Sequence, residues 1–269
     1  MSRVLQSMEQ SSRSRLELAR SRRSLGAITA SALDAPSVRD VGTFGEVFDL
    51  IAEIKPRSPA EGELAGSELV ERAIAYQEGG ARMLSVLTEP EAFGGSLALL
   101  EAVAAVARVP VLRKDFLVDP YQVFESRAFG ADCVLLIARL LSDQAMADLL
   151  DAVEETGMVA LLEAFDATEL SRVNSIAETS PGTLVGVNCR DLETLHTVPE
   201  RHDELAPGLS LTIPSVAESG ILGTDDARRV AGLGYRAALV GSALMRSDDP
   251  ADLARSMLAA GQESAAVAS

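Results

Sequence analysis

SDQAMADLLDAVEETGMVALLEAFD, residues 142–166, contains the unit whose reading decides the fold. Ser142 stands where a helix N-cap wants a hydroxyl acceptor. Apolar residues then recur at helical spacing until Gly157, the residue type that most often ends a helix. MVALLE (158–163) follows at once, almost continuously apolar rather than alternating. That pattern belongs to a parallel strand covered on both faces, because an edge-on or half-solvated strand would alternate.

The same unit recurs from residue 49 onward. Apolar runs occur near 49–55, 82–87, 109–113, 132–137, 158–163, 184–188, 212–217 and 237–241. Helical stretches such as SLALLEAVAAVA (96–107) and TDDARRVAGLG (224–234) lie between them. Eight strand–helix units in about 200 residues predict an α/β fold, the (β/α)₈ TIM barrel. An open doubly wound sheet would carry a Gly-rich turn after its first strand. Here the first strand runs into KPRSPAEG (55–62), which lacks it. The expected layout is an N-terminal helical extension over 1–48, the barrel over 49–260 and a disordered tail over 261–269. The Arg- and Ser-rich start admits a transit peptide. Glu9 and Glu17, with the apolar face of Val4, Leu5, Met8, Leu16, Leu18 and Ala19, favour an amphipathic helix instead.

Composition narrows the function. The 269 residues carry a net charge of −16, which disfavours a nucleic-acid partner. No apolar run is long enough to predict a membrane span. Cys133 and Cys189 have no CxxC spacing and are expected as free thiols in a reducing, cytoplasmic setting. His196 and His202 lie in a polar stretch without metal-ligand spacing and are expected at the surface, so no metal is expected.

Only two lysines, Lys55 and Lys114, stand against 22 arginines. Both fall at predicted strand ends. A buried ammonium can lose and regain a proton, whereas a guanidinium stays charged. Barrel active sites form at the C-terminal strand ends. The polar residues expected there are Glu53 and Lys55 from strand 1, Arg113, Lys114 and Asp115 from strand 3, Glu163 from strand 5, Asn188 and Arg190 from strand 6, Glu218, Ser219 and Gly220 from strand 7, and Gly241 and Ser242 from strand 8. Glu53 with Lys55 also reads as a plain structural ion pair; the convergence of the whole set favours chemistry. SGILGTDDA (219–227) and GSALMRSDDP (241–250) place small residues at helix starts, a phosphate-binding pattern when it follows strands 7 and 8. Simple helix capping is the competing explanation.

EIKPRSP (53–59), SVLTEPEAFGGS (85–96), LRKDFLVDPYQVFESRAFGAD (112–132), VGVNCRDLET (185–194), AESGI (217–221) and ALVGSALMR (238–246) occur in this order. Together they resemble the indole-3-glycerol-phosphate synthase family of tryptophan biosynthesis. The resemblance spans essentially the whole chain. It implies ring closure, decarboxylation and dehydration of 1-(2-carboxyphenylamino)-1-deoxyribulose 5-phosphate, a small phosphorylated substrate, without a cofactor. It also implies roles: Lys114 as general acid in ring closure, Lys55 at the substrate carboxylate, Glu163 as general base, and Glu53 and Asn188 as holding groups. Ser58, Gly220, Gly241 and Ser242 match the phosphate region, Glu218, Ser219 and Arg190 the mouth, and Phe93 and Phe116 the aromatic-ring subsite. Association with other tryptophan-pathway enzymes is an open partner question.

The chain departs from the family pattern in loop 1, where KRxSPS followed by lysine and glycine is usual. Pro56, Ala60 and Glu61 replace a basic residue, a serine and a lysine, which leaves Arg57 as the nearest substitute cation. Ala164–Phe165 stands where valine–histidine is usual, and Cys189 where asparagine or serine is. Two other readings remain at this level: another phosphate-binding barrel, isomerase or aldolase-like, and a non-catalytic paralogue that binds phosphorylated ligands.

Overall fold

The computed structural model describes residues 3–42, 44–58, 62–63, 69–191, 194 and 196–268. Eight parallel strands close into a barrel: β1 Asp49–Ile54, β2 Met83–Leu87, β3 Val111–Lys114, β4 Cys133–Ile137, β5 Val159–Ala164, β6 Leu184–Asn188, β7 Ser215–Glu218 and β8 Ala237–Val240. Each strand pairs with its sequence neighbour, and β1 pairs with β8 to complete the ring. The helices are α1 Arg3–Arg22, α2 Leu25–Leu33, α3 Leu69–Glu78, α4 Pro90–Phe93, α5 Leu97–Val106, α6 Pro120–Ala128, α7 Asp143–Glu155, α8 Ala167–Ala177, α9 Glu200–Leu205, α10 Thr224–Gly232, α11 Ser242–Arg246 and α12 Pro250–Ala268.

The local signals act as expected. Ser142 Oγ accepts from the Ala145 N–H at 3.2 Å and starts α7. Gly157, in the left-handed region at φ 67°, turns the chain out of that helix into β5. Asp166 Oδ1 caps α8 through the Glu169 N–H at 2.9 Å.

Two apolar layers result. Outward-facing strand residues such as Leu50, Ala52, Leu162 and Val240 pack beneath the helices. Inward-facing residues, among them Ile51, Leu112, Leu135, Leu161, Val216 and Leu239, fill the barrel. The two-residue strand period then decides which polar residues reach the mouth. Ile51 points inward, so Glu53 and Lys55 do; Leu112 points inward, so Lys114 does and Arg113 does not.

Two elements of the extension tie it to the barrel. Arg15 of α1 reaches Asp115 with both guanidinium nitrogens, at 2.9 and 2.8 Å. Gln122 Nε2 donates to Ser12 Oγ at 2.9 Å. Leu5 and Leu16 are buried on the predicted apolar face, whereas Leu18 lies outside it, half exposed. Phe44 packs with Val41 against the inner layer below the strands.

The expected tail over 261–269 is corrected: α12 continues to Ala268. Gly261 allows the helix to lie against Phe48, since a Cβ there would sit 2.1 Å from the ring. Gln262 Nε2 then donates to the Phe48 carbonyl at 3.1 Å. Small residues that read as a frayed end are the ones that permit this close packing.

His202 is likewise corrected. It is fully buried, its ring 5.5 Å from that of Tyr235 and its Nε2 3.2 Å from the Glu218 carbonyl oxygen. His196 is exposed, as expected.

Candidate active site

The strand ends surround a cavity of about 320 Å³. Its floor and walls include Glu53, Lys55, Phe93, Lys114, Phe116, Glu163, Asn188, Arg190, Glu218, Ser219, Gly220, Gly241 and Ser242. Of the polar residues expected at the strand ends, all but Arg113 line this mouth, as do Phe93 and Phe116. Ser58 belongs by its backbone to a short antiparallel pair, Arg57–Ser58 with Gly62–Glu63, outside the barrel. The Ser58 side chain, Ala60 and Glu61 lie outside the described residues.

The charged groups form two clusters. On one side, Lys55 Nζ donates to Ser242 Oγ at 2.8 Å and lies 3.6 Å from Glu53 Oε1. This pairing follows from the ring order, because β1 and β8 are neighbours. Across the mouth, Lys114 Nζ lies 3.3 Å from Glu218 Oε2 and 3.7 Å from Glu163 Oε1. Asn188 Nδ2 donates to Glu163 Oε1 at 2.7 Å, while its own Oδ1 accepts from the Arg190 N–H at 2.9 Å. That second bond fixes which way the amide points, so Asn188 can only present a donor to Glu163.

Burial works against the Lys114 ammonium, but the Glu218, Glu163 and Glu53 carboxylates outweigh it and raise its pKa. Lys114 is thus charged in the resting site.

Two glycines make the clusters possible. A Cβ on Gly186 would sit 2.1 Å from Glu218 Oε1, and one on Gly241 would sit 2.4 Å from Glu53 Oε1. The carboxylates occupy the space that a side chain would take. Gly186→Ala is expected to keep the fold yet lower kcat by about tenfold or more, because sub-ångström misplacement of catalytic groups is costly. Circular dichroism and steady-state turnover measured together test this.

A second ionic network stands behind the site. Arg113 faces outward, is 1 % exposed, and binds Glu125 Oε2 at 2.9 Å and Asp115 Oδ2 at 3.1 Å. Thr88 Oγ1 donates to the same Asp115 oxygen at 2.6 Å. Burial alone would raise the Asp115 carboxyl pKa. The Arg113 and Arg15 guanidiniums overcome that and hold it well below the usual carboxylate range. Asp115 borders the cavity with its charge already neutralised, so its work is to fix β3 and Lys114.

The apolar wall is richer than the sequence suggested. Leu87, Leu135, Ile137, Phe165 and Leu239 join Phe93 and Phe116. Arg139 covers the Phe165 ring at 4.3 Å and is itself held by Glu169 at 2.7 Å. The departure from valine–histidine thus has a local partner. Strand alternation from Cys133 would have placed Leu135 and Ile137 in the mouth, but a continuous apolar run hides which residues face inward.

The Arg57 guanidinium donates to the Pro90 and Glu91 carbonyls and is not among the residues lining the cavity. Arg246, one turn beyond Ser242, lines the mouth instead, as does His196. The spacing after Gly241–Ser242 was the available signal for Arg246.

The two expected helix starts differ. α11 begins at Ser242, directly after β8, whereas α10 begins only at Thr224. Between β7 and α10, Ser219 and Gly220 adopt φ of 67° and 69°. Ser219 is the only non-glycine residue with positive φ among the described residues, a cost of roughly 1–3 kcal/mol that characteristically falls at functional sites. A Cβ on Gly220 would approach Cys189 Sγ at 2.9 Å, so this turn also sits tightly on β6.

Fold and mouth together define a (β/α)₈ barrel with lysine–glutamate pairs gathered at the C-terminal ends of its strands. Comparison with known proteins narrows that class. A family model described as indole-3-glycerol phosphate synthase matches residues 5–257. The curated indole-3-glycerol phosphate synthase of Rhodococcus opacus is 44% identical over 238 residues, 87% of each chain. That of Saccharopolyspora erythraea is 45% identical over 234 residues, 86% of each. The chain belongs to the indole-3-glycerol phosphate synthase family, carboxy-lyases of tryptophan biosynthesis. Among solved structures, 3-hexulose-6-phosphate synthase from Salmonella typhimurium superimposes with a TM-score of 0.63 at 15% identity, covering 81% of this chain and 100% of that one. Thiamine phosphate pyrophosphorylase from Pyrococcus furiosus gives 0.58 at 18% identity, covering 82% and 98%. These two likenesses concern the barrel alone. Among the described residues, no helix is long and apolar enough to cross a membrane.

Proposed function

We propose that in this chain ring closure is carried out by the two lysine clusters in separate roles. The anilino ring carbon that bears the carboxylate attacks the ketone carbon, and the ketone oxygen takes a proton from Lys114. Carbon dioxide then leaves and restores the aromatic ring. In the last step the new hydroxyl departs as water, taking a second proton, while a base removes one proton from the carbon beside nitrogen. Glu163 is that base, oriented by Asn188. Glu53 holds Lys55, which faces the substrate carboxylate and can supply the proton for dehydration. Glu218, Ser219 and Arg190 bound the substrate, and the apolar wall with Phe93 and Phe116 takes its aromatic ring.

The phosphate end belongs at Gly220, Gly241 and Ser242. Lys55 and Arg246 are the cations nearest that side, since Lys55 already contacts Ser242. Ser58 remains a candidate phosphate ligand through its place in loop 1. The observation that carries this reading is the position of Lys114: one ammonium between two buried carboxylates, in a mouth that also has an apolar wall. Purified protein given 1-(2-carboxyphenylamino)-1-deoxyribulose 5-phosphate is expected to develop indole fluorescence; no product at high enzyme concentration would overturn the reading.

A cytoplasmic setting is part of the same proposal, supported by Cys133 and Cys189, both buried and unpaired with one another. Association with other enzymes of the pathway is tested by co-purification from a host expressing them.

A further inference from the structure

The inner mouth holds three carboxyl groups and two ammoniums: Glu53, Glu163 and Glu218 against Lys55 and Lys114. Asp115 is neutralised from behind by Arg15 and Arg113. With all five charged, these two clusters carry one excess negative charge on side chains only 1–15 % exposed, while Arg190 and Arg246 line the same cavity. One added proton removes that excess.

Glu218 is the group placed to hold it. Its side chain is 1 % exposed, and its oxygens are met by Lys114 Nζ, 3.3 Å from Oε2, and by no backbone N–H or amide donor among the described residues. Glu163, by contrast, already accepts from Asn188 Nδ2 at 2.7 Å. We infer that Glu218 stores the proton that recharges Lys114 after ring closure. The step is Glu218–COOH + Lys114–NH₂ → Glu218–COO⁻ + Lys114–NH₃⁺, across the 3.3 Å separation of Oε2 and Nζ. It rests on the reading of Lys114 as the ring-closing acid.

The chemistry requires such a source. Each turnover gives two protons, to the ketone oxygen and to the departing hydroxyl, and recovers one from carbon. A carboxylate leaving as carbon dioxide returns none. One proton per turnover must therefore enter from solvent, and Glu218 lines the cavity through which product leaves. A neutral Glu218 also removes one of the carboxylates that hold the Lys114 proton, so the ammonium becomes the stronger acid when it is needed.

The charged groups facing Glu218 are Lys114 from β3 and Glu163 from β5, with the Cys133 thiol of β4 nearby; Glu53 from β1 acts on Lys114. His202 of α9 meets only its backbone oxygen. Burial pushes the His202 pKa down to about 4, so that ring adds no charge near neutrality. Burial and the Glu163 carboxylate push the Glu218 carboxyl up to about 8, against the pull of Lys114.

The sign follows. The storing form is protonated, so steady-state activity is present below that pKa and is lost as pH rises through it. Glu218→Gln keeps the shape and removes the exchangeable proton. Single-turnover rates, with enzyme in excess, are compared with steady-state rates from neutral to alkaline pH. The expected result is a steady-state rate that falls by about 10²-fold more than the single-turnover rate, and loss of the alkaline limb. Glu218→Asp, which retains a carboxyl, is expected to keep a limb. Equal losses in both regimes for Glu218→Gln, or an unchanged limb, would overturn the proposal and leave Glu218 a structural partner or Glu163 the direct return path. A near-normal rate in Lys114→Arg would instead remove the underlying reading, so the two failures are distinguishable.

Discussion

Lys114→Arg is expected to fold normally and to lose about 10²–10⁴ in kcat, the usual contribution of a positioned general acid. The substitution retains the positive charge, and the Glu163 and Glu218 carboxylates could still pair with a guanidinium. It removes only the ability to give up a proton at a working pH. The larger fork also needs room that the mouth provides only toward solvent, since Lys114 itself is 15 % exposed. Thermal unfolding near the parent value together with a collapsed turnover rate supports the acid role. Turnover within a few-fold of the parent would show that Lys114 contributes charge alone.

The second large effect is on stability. Arg113→Met is expected to cost roughly 3–5 kcal/mol in urea unfolding, because it strands buried acids whose compensation has gone. Glu125 loses its 2.9 Å partner, and Asp115 keeps Arg15, Thr88 and the Phe116 N–H but loses its most buried cation. The pH dependence has a definite sign. The Asp115 carboxyl is held below its ordinary value, so its contribution to stability is full above the ordinary carboxylate pKa and is lost as pH falls toward the depressed one. Arg113→Met is expected to weaken that acid sensitivity as well as the overall stability. Unchanged unfolding midpoints would mean that α1 and β3 are held by packing alone.

These two neighbouring residues show how much of the site could be read from the chain. Arg113 and Lys114 both read as charges at the end of strand 3. The two-residue period separates them, but only once an inward register is known, and VPVLRK offers no polar alternation to reveal it. Glu53 with Lys55 was legible because the two lie two residues apart on one strand and so face the same way. Gly186 could not be understood from the sequence, since its meaning is the Glu218 carboxylate from a neighbouring strand. Arg57 shows the converse failure: a cation in the expected loop turns toward the α4 carbonyls, while Arg246 faces the mouth from the far end of the chain. The barrel itself was legible because eight repeats of one pattern leave few closed arrangements. The C-terminal residues misled because small side chains signal both fraying and close helix packing.

The division of labour between the two lysines is the central claim, and a crystal structure with the alcohol formed by reducing the substrate ketone tests it most directly. That compound cannot close its ring but keeps an oxygen where the ketone stood. The expected complex places this hydroxyl within hydrogen-bond distance of Lys114 Nζ, the carboxylate near Lys55, the aromatic ring against Phe93 and Phe116, and the phosphate at Gly220, Gly241 and Ser242. A ligand seated the other way round, with its phosphate on Lys114 and the hydroxyl remote from it, would contradict the account.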